Sequence, residues 1–294
     1  PSAQADTSGP SPGAPSSSGP SSSGPSSSGL ARTGAAGDPF GATLFLVPRD
    51  TPGLGTDDRL DWIGAPAMDL SGVRLQGALV GPEAALGKPG EGFLHTRRTL
   101  EISRGGVACM ATGATAAALS LALDHARQRH LYGAPIRELG GVRDLLAASL
   151  WRLAMSLAVS RLTARATARW AVSARGLSSV AKLLCPRLLE EVVQRSGEVL
   201  GARSLTTGRF ACLRRNAPIL GIFDGSAQLQ LDELWRHGRG WRGADLDLAA
   251  FDARLRAPVQ GFDPMAEDTG ELRAAAPANL LRALGLEAWA EAAD

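Results

Sequence analysis

Tyrosine occurs once in this chain, at Tyr132, and lysine twice, at Lys88 and Lys182, so arginine supplies nearly all of the positive charge. Acidic residues offset the arginines along most of the 294 residues, leaving a formal net charge of +2. A balanced chain with one tyrosine has neither the cationic stripe nor the stacking platform that nucleic acid requires, and no such partner is expected. Cysteine is sparse as well. Cys109, Cys185 and Cys212 lie far apart in apolar contexts, without the CxxC spacing of a zinc or redox site, and read as free thiols in a reducing compartment. The chain opens on Pro1 with no initiator Met, no basic start and no apolar signal core. That opening is expected of a cytoplasmic protein and of a fragment.

The usual site signatures are missing too. There is no Walker loop, and Gly90-Glu91-Gly92 has His95 where a dinucleotide fingerprint needs its third glycine. His125 and His130 are five residues apart, on different faces of a helix, so no metal is expected between them. Gly9-Pro10-Ser11-Pro12-Gly13 matches the hydrolase nucleophile pattern literally, but it lies in Ser/Gly/Pro coil rather than at a strand-to-helix elbow. One uncharged run, Gly105 to Leu123, approaches the length of a membrane span. It is mostly Ala, Gly, Thr and Ser and continues into a polar stretch, which fits a helix inside a protein bundle and no membrane partner.

What is present divides the chain into four segments. Residues 1–38 are Ser, Gly and Pro in near-repeats, too poor in apolar area to offset their ordering entropy, and are expected to form a disordered linker. Residues 39–92 contain an apolar run from Ala42 to Val47, ended by Pro48, and an alternating run from Leu70 to Val80; these predict a partial antiparallel β domain. Residues 93–235 predict a four-helix bundle. Its first helix is expected from about Phe93 to Leu131, with Gly105, Gly106, Ala111, Gly113 and Ala117 permitting close packing. The second runs from about Gly141 to Ala174, with a stripe of Val142, Leu146, Leu150, Leu153 and Leu157, a solvent face of Arg161, Arg165 and Arg169, and a stop at Gly176. A third spans about Ser178 to Leu200, with Pro186 expected to kink it, and a shorter helix follows Asp224. Residues 236–294 form a less regular extension in which Asn279 to Ala293 has the pattern of a short amphipathic helix. The fold class is thus mainly α.

Several short strings, taken in order, carry a resemblance. They are Phe45-Leu46-Val47-Pro48, Ile63-Gly64, Leu86-Gly87-x-x-Gly90-x-Gly92-Phe93, Ser103-Arg104, Arg129-x-x-Tyr132-Gly133, Ala181-Lys182, Leu200-Gly201 and Ile222-Phe223-Asp224-Gly225-Ser226-Ala227-Gln228-Leu229-Gln230. Over about residues 42–235 this order and spacing resemble the acyl-CoA dehydrogenase family, from the end of its β domain through its C-terminal helical bundle. That family removes the α-proton of an acyl thioester with a carboxylate while the β-hydrogen leaves as hydride to FAD. The resemblance places Asp224 at the base. It implies that Arg129 and Tyr132 meet the ADP part of a neighbouring subunit's flavin, that Gly201, Ser226 and Gln228 contact cofactor, and that Arg104 and Gly225 lie at the substrate.

It also implies a homo-oligomer or a heteromeric partner subunit, and an electron acceptor that the residues do not specify. Where the family typically has Glu-Gly-Thr, this chain has Asp224-Gly225-Ser226. Some relatives place the base on the first bundle helix instead, just before the arginine matched by Arg104, and here that position is Ser103. Asp is one methylene shorter than Glu, which moves a carboxylate by about 1 Å. Taken alone, an Asp ahead of Gly-Ser-Ala-Gln also has the pattern of a helix N-cap. Three readings therefore stay open: an FAD-dependent acyl-thioester dehydrogenase, present as a fragment or completed by another polypeptide; a non-catalytic bundle subunit; and an enzyme like the nitroalkane-oxidising relatives, which use Asp as base.

Overall fold

The computed structural model describes residues 27–34, 38, 40–170, 174–238, 253 and 256–257. Among the described residues five α-helices dominate: α1 (Gly92–Gln128), α2 (Gly140–Arg169), α3 (Arg175–Leu200), α4 (Arg209–Ile222) and α5 (Ala227–Gly238). The three long helices pack on one another, α4 packs on α3 and α1, and α5 packs on α3. The mainly helical expectation holds. The sequence pattern missed α4, whose apolar positions are interrupted by Arg214, Arg215, Asn216 and Pro218.

The core lies where α1, α2, α3 and α4 meet, around Ala108, Ala111, Leu119, Val159, Leu189, Val192 and Phe210. The inward face of α2 follows the expected stripe at Val142, Leu146 and Leu153, which pack on the core clusters, but not at Leu150. Leu150 is 59% exposed, whereas Ser149, Ser156, Ser160 and Thr163 are buried. Small side chains let helices approach closely, and their hydroxyls are satisfied locally: Ser149 Oγ donates to the Leu145 carbonyl and Thr112 Oγ1 to that of Ala108. Thr112 and Ser156 hydroxyls also meet at 2.6 Å between α1 and α2. Of the small residues expected at helix contacts, Gly105 and Ala111 are buried, while Gly106, Gly113 and Ala117 face outward.

Gly176 does not stop the second helix. That helix ends at Trp170, which is buried, and Gly176 lies inside α3. Burial of an aromatic at the turn outweighed the glycine signal. Pro186 sits within α3, which continues through it, and its ring is fully buried. Both α1 and α2 are long and apolar enough to cross a membrane by length and composition. In this fold the apolar side of α1 is packed against α3 and α2.

Seven short strands accompany the helices among the described residues. Strands β1 (Ser27–Arg32), β2 (Ala42–Val47) and β5 (Ala85–Leu86) form an antiparallel sheet in the order β1-β2-β5. Strands β3 (Leu54–Arg59) and β4 (Ser71–Leu75) form a second pair, and β6 (His130–Leu131) and β7 (Ala134–Pro135) a third. The expected antiparallel β region is present, but its two expected strands pair with other partners rather than with each other. Strand β1 also departs from the linker expectation at its end, since backbone pairing with β2 needs no large side chains. The remainder of that linker and the pattern from Asn279 to Ala293 lie outside the described residues.

Candidate active site

Asp224 lies in the four-residue connection between α4 and α5, with φ +59. Gly225 follows at φ +106, where a Cβ would stand 2.6 Å from Gln230 Nε2, so only glycine fits the turn without displacement. The Gln230 N–H donates to the Ser226 carbonyl at 3.1 Å, which makes Ser226 rather than Asp224 the residue at the helix start. The N-cap reading of Asp224 is thereby corrected. Among the described residues the half-buried Asp224 carboxylate makes no hydrogen bond or salt bridge.

The backbone beneath it is fixed by α1. Arg104 is 2% exposed; its Nε donates to the Asp224 carbonyl at 3.2 Å, and its Nη1 meets Glu233 Oε2 at 2.5 Å. Ser179 Oγ, from α3, donates to the same Glu233 oxygen at 3.1 Å. Burial pushes the Glu233 carboxyl up, but the hydrogen bond and charge of Arg104, with Ser179 and Arg97, outweigh it and hold the group below its ordinary value. Arg104, expected at the substrate, thus has its guanidinium committed to the loop and to α5.

Lys182 completes this floor. It is 2% exposed, and its Nζ donates to the Leu220 carbonyl in the last turn of α4 at 2.8 Å. Burial lowers its pKa, Asp224 opposes that shift, and Arg104 adds to it. Sequence reasoning assigned no role to Lys182, Ser179, Glu233 or Gln230. A signal existed for the first: one of only two lysines stands in the apolar stretch Val180-Ala181-Lys182-Leu183.

The expected site residues fall into two groups. Arg104, Asp224 and Gly225 come together, and the exposed Ser226 and Gln228 follow on the same loop and helix start. Arg129 and Tyr132 do not join them. Positions 104 and 129 are separated along α1 by about 37 Å at 1.5 Å per residue. Tyr132 and Gly133, at φ +53 and +83, form the two-residue turn between β6 and β7. Positive φ at both positions is the type I′ hairpin geometry, which favours Asn or Gly over Tyr. Tyr132 is 94% exposed, and Arg129 at the end of α1 is exposed too. Gly201, at φ +56, caps the C-terminus of α3 through its N–H to the Glu198 and Gly197 carbonyls. Burial, then Arg203 and Arg129, lowers the pKa of His125 at the end of α1.

The fold and this loop define a helical-bundle domain that presents a carboxylate between its last two helices. The family model of the acyl-CoA dehydrogenase C-terminal domain matches residues 90–238, and the chain belongs to that family. It is 29% identical over 194 residues to the rat (Rattus norvegicus) mitochondrial short-chain specific acyl-CoA dehydrogenase, covering 65% of this chain and 46% of that protein. The chain therefore spans about half the length of the curated relatives it matches. Butyryl-CoA dehydrogenase from Megasphaera elsdenii shares the fold at TM-score 0.66 and 24% identity, over 69% of this chain and 53% of that one. The prolyl acyl carrier protein oxidase AnaB does so at TM-score 0.67 and 21% identity, over 71% and 55%.

Proposed function

We propose that this chain is the C-terminal part of an FAD-dependent acyl-thioester dehydrogenase in which Asp224 is the base. The observation that carries the reading is an uncommitted carboxylate on a backbone fixed by a buried arginine, in a chain of this family. Asp224 Oδ takes the α-proton of the acyl thioester, and the Arg104 bond to its carbonyl limits how far the shorter side chain wanders. FAD, when bound, supplies the acceptor for the β-hydride. The donor set fits such a group: Ser226 and Gln228 offer an exposed hydroxyl and amide beside Asp224, and Arg129 and Tyr132 offer a guanidinium and a phenol suited to a dinucleotide's charged and aromatic parts.

The separation of about 37 Å along α1 supports giving Arg129 and Tyr132 to a flavin other than the one beside the same chain's Asp224. That arrangement requires more than one subunit. Leu150 and Trp151, 59% and 61% exposed on α2, provide apolar surface for it. The substrate class is an acyl thioester, carried by CoA or by a carrier protein.

The test uses the full chain with FAD, alone and with candidate partner subunits. Bound flavin that an acyl thioester bleaches, and that Asp224→Asn leaves bound but unbleached, supports the proposal. Bound flavin that no acyl thioester reduces points to the non-catalytic subunit, and reduction by a nitroalkane instead points to the Asp-dependent relatives.

A further inference from the structure

Gln230, in the first turn of α5, is fully buried, and its side chain turns back on the connection that carries Asp224. Its Nε2 donates to the Gly225 carbonyl at 3.5 Å. Arg104 Nε donates to the carbonyl one residue earlier, that of Asp224. Two buried side chains, from α1 and from α5, therefore hold consecutive carbonyls of one turn. The turn needs them: Asp224 has φ +59, a left-handed conformation that a residue with a Cβ keeps only under constraint, and Gly225 follows at φ +106. The space that a side chain at position 225 would fill is taken by Gln230 Nε2, Leu229 Cδ2 and Arg104 Nη2, at 2.6, 3.0 and 3.6 Å from where its Cβ would stand.

The other end of the carboxamide adds no stability. Gln230 Oε1 is buried with no hydrogen-bond donor among the described residues, and an amide oxygen buried unpaired costs free energy. Methionine would fill much the same volume without that cost, so packing alone does not account for an amide here. What the amide has and methionine lacks is the Nε2 donor on the Gly225 carbonyl.

We propose that Gln230 is a positioning residue for Asp224: its carboxamide fixes the Gly225 carbonyl, and with it the direction in which the Asp224 side chain leaves the turn. The proposal deepens the reading of Asp224 as the base and rests on it. An aspartate has little reach with which to compensate a shift of its own backbone, so its aim depends on the turn more than that of a longer carboxylate would.

Two variants test this. Gln230→Met keeps the volume and loses the donor; Gln230→Asn keeps the amide but draws it back one methylene from a carbonyl already at 3.5 Å. In the full chain either change should lower the NMR order parameters of the Asp224 and Gly225 amides from the rigid range to below about 0.6, with the rest of α5 unaltered. In the flavin-loaded protein, bleaching at saturating acyl thioester should slow by about tenfold or more, with flavin content and KM little changed. A glutamine that only packs gives a different result: in Gln230→Met the melting temperature holds or rises and the turn stays rigid. A turn that stays rigid in either folded variant overturns the proposal. So does a loosened turn with an unaltered rate in a protein that Asp224→Asn disables. Should Gln230→Met not fold, the milder Gln230→Asn decides alone. If Asp224 is not the base, Asp224→Asn leaves bleaching intact and that reading fails by itself, while the order parameters still decide whether Gln230 holds the turn.

Discussion

Arg104 Nε donates to the backbone carbonyl of Asp224 at 3.2 Å across 120 positions of sequence, while its Nη1 holds Glu233. One buried guanidinium thus joins the first bundle helix to the loop and to the last helix. Removing one partner of such a pair leaves the other buried and uncompensated, at a cost of about 3 kcal/mol. Arg104→Met and Glu233→Gln should each lower stability by about that much, and a double-mutant cycle by urea denaturation should return a coupling of about 1.5 kcal/mol or more. Additive effects would show that the pair is not coupled.

Acid should loosen the same contact. The Glu233 carboxyl is held below its ordinary value, so its contribution is complete above the unfolded carboxyl's titration range near about pH 4 and is lost as pH falls through the folded value. Hydrogen exchange along α5 should rise in that window. Glu233→Gln should flatten the dependence while lowering stability at neutral pH.

Tyr132 occupies a turn position suited to Asn or Gly. Tyr132→Asn should leave stability unchanged or raise it by up to about 1 kcal/mol, measured by thermal unfolding. If the hairpin reaches a neighbour's flavin, the same change should reduce flavin retention in the assembled protein. A large loss of stability would show that the phenol is a packing residue.

The three thiols should separate by burial. Cys109 and Cys212 are exposed and Cys185 is buried, where burial raises its pKa against hydrogen bonds from Ser156 and Thr112. A thiol reagent should modify two groups in the native chain and the third only on unfolding. Rapid native reaction of all three would show that the α1–α2–α3 core opens readily.

The long helices, the break between strands and bundle, and the order of strings that marks the family were legible in the residues alone. Those features are local: apolar spacing, turn residues and short motifs are visible without knowing what packs on what. They do not reveal that α2 turns its serines and threonines inward, because close packing of neighbouring helices selects small side chains there and outranks hydrophobicity. Nor could they show that Arg104 and Lys182 lie beneath Asp224, since these residues are 42 to 120 positions from it in the chain. Only the tertiary structure set Tyr132 apart from Asp224, because a rigid helix fixes the distance between residues that the motif order merely lists in sequence.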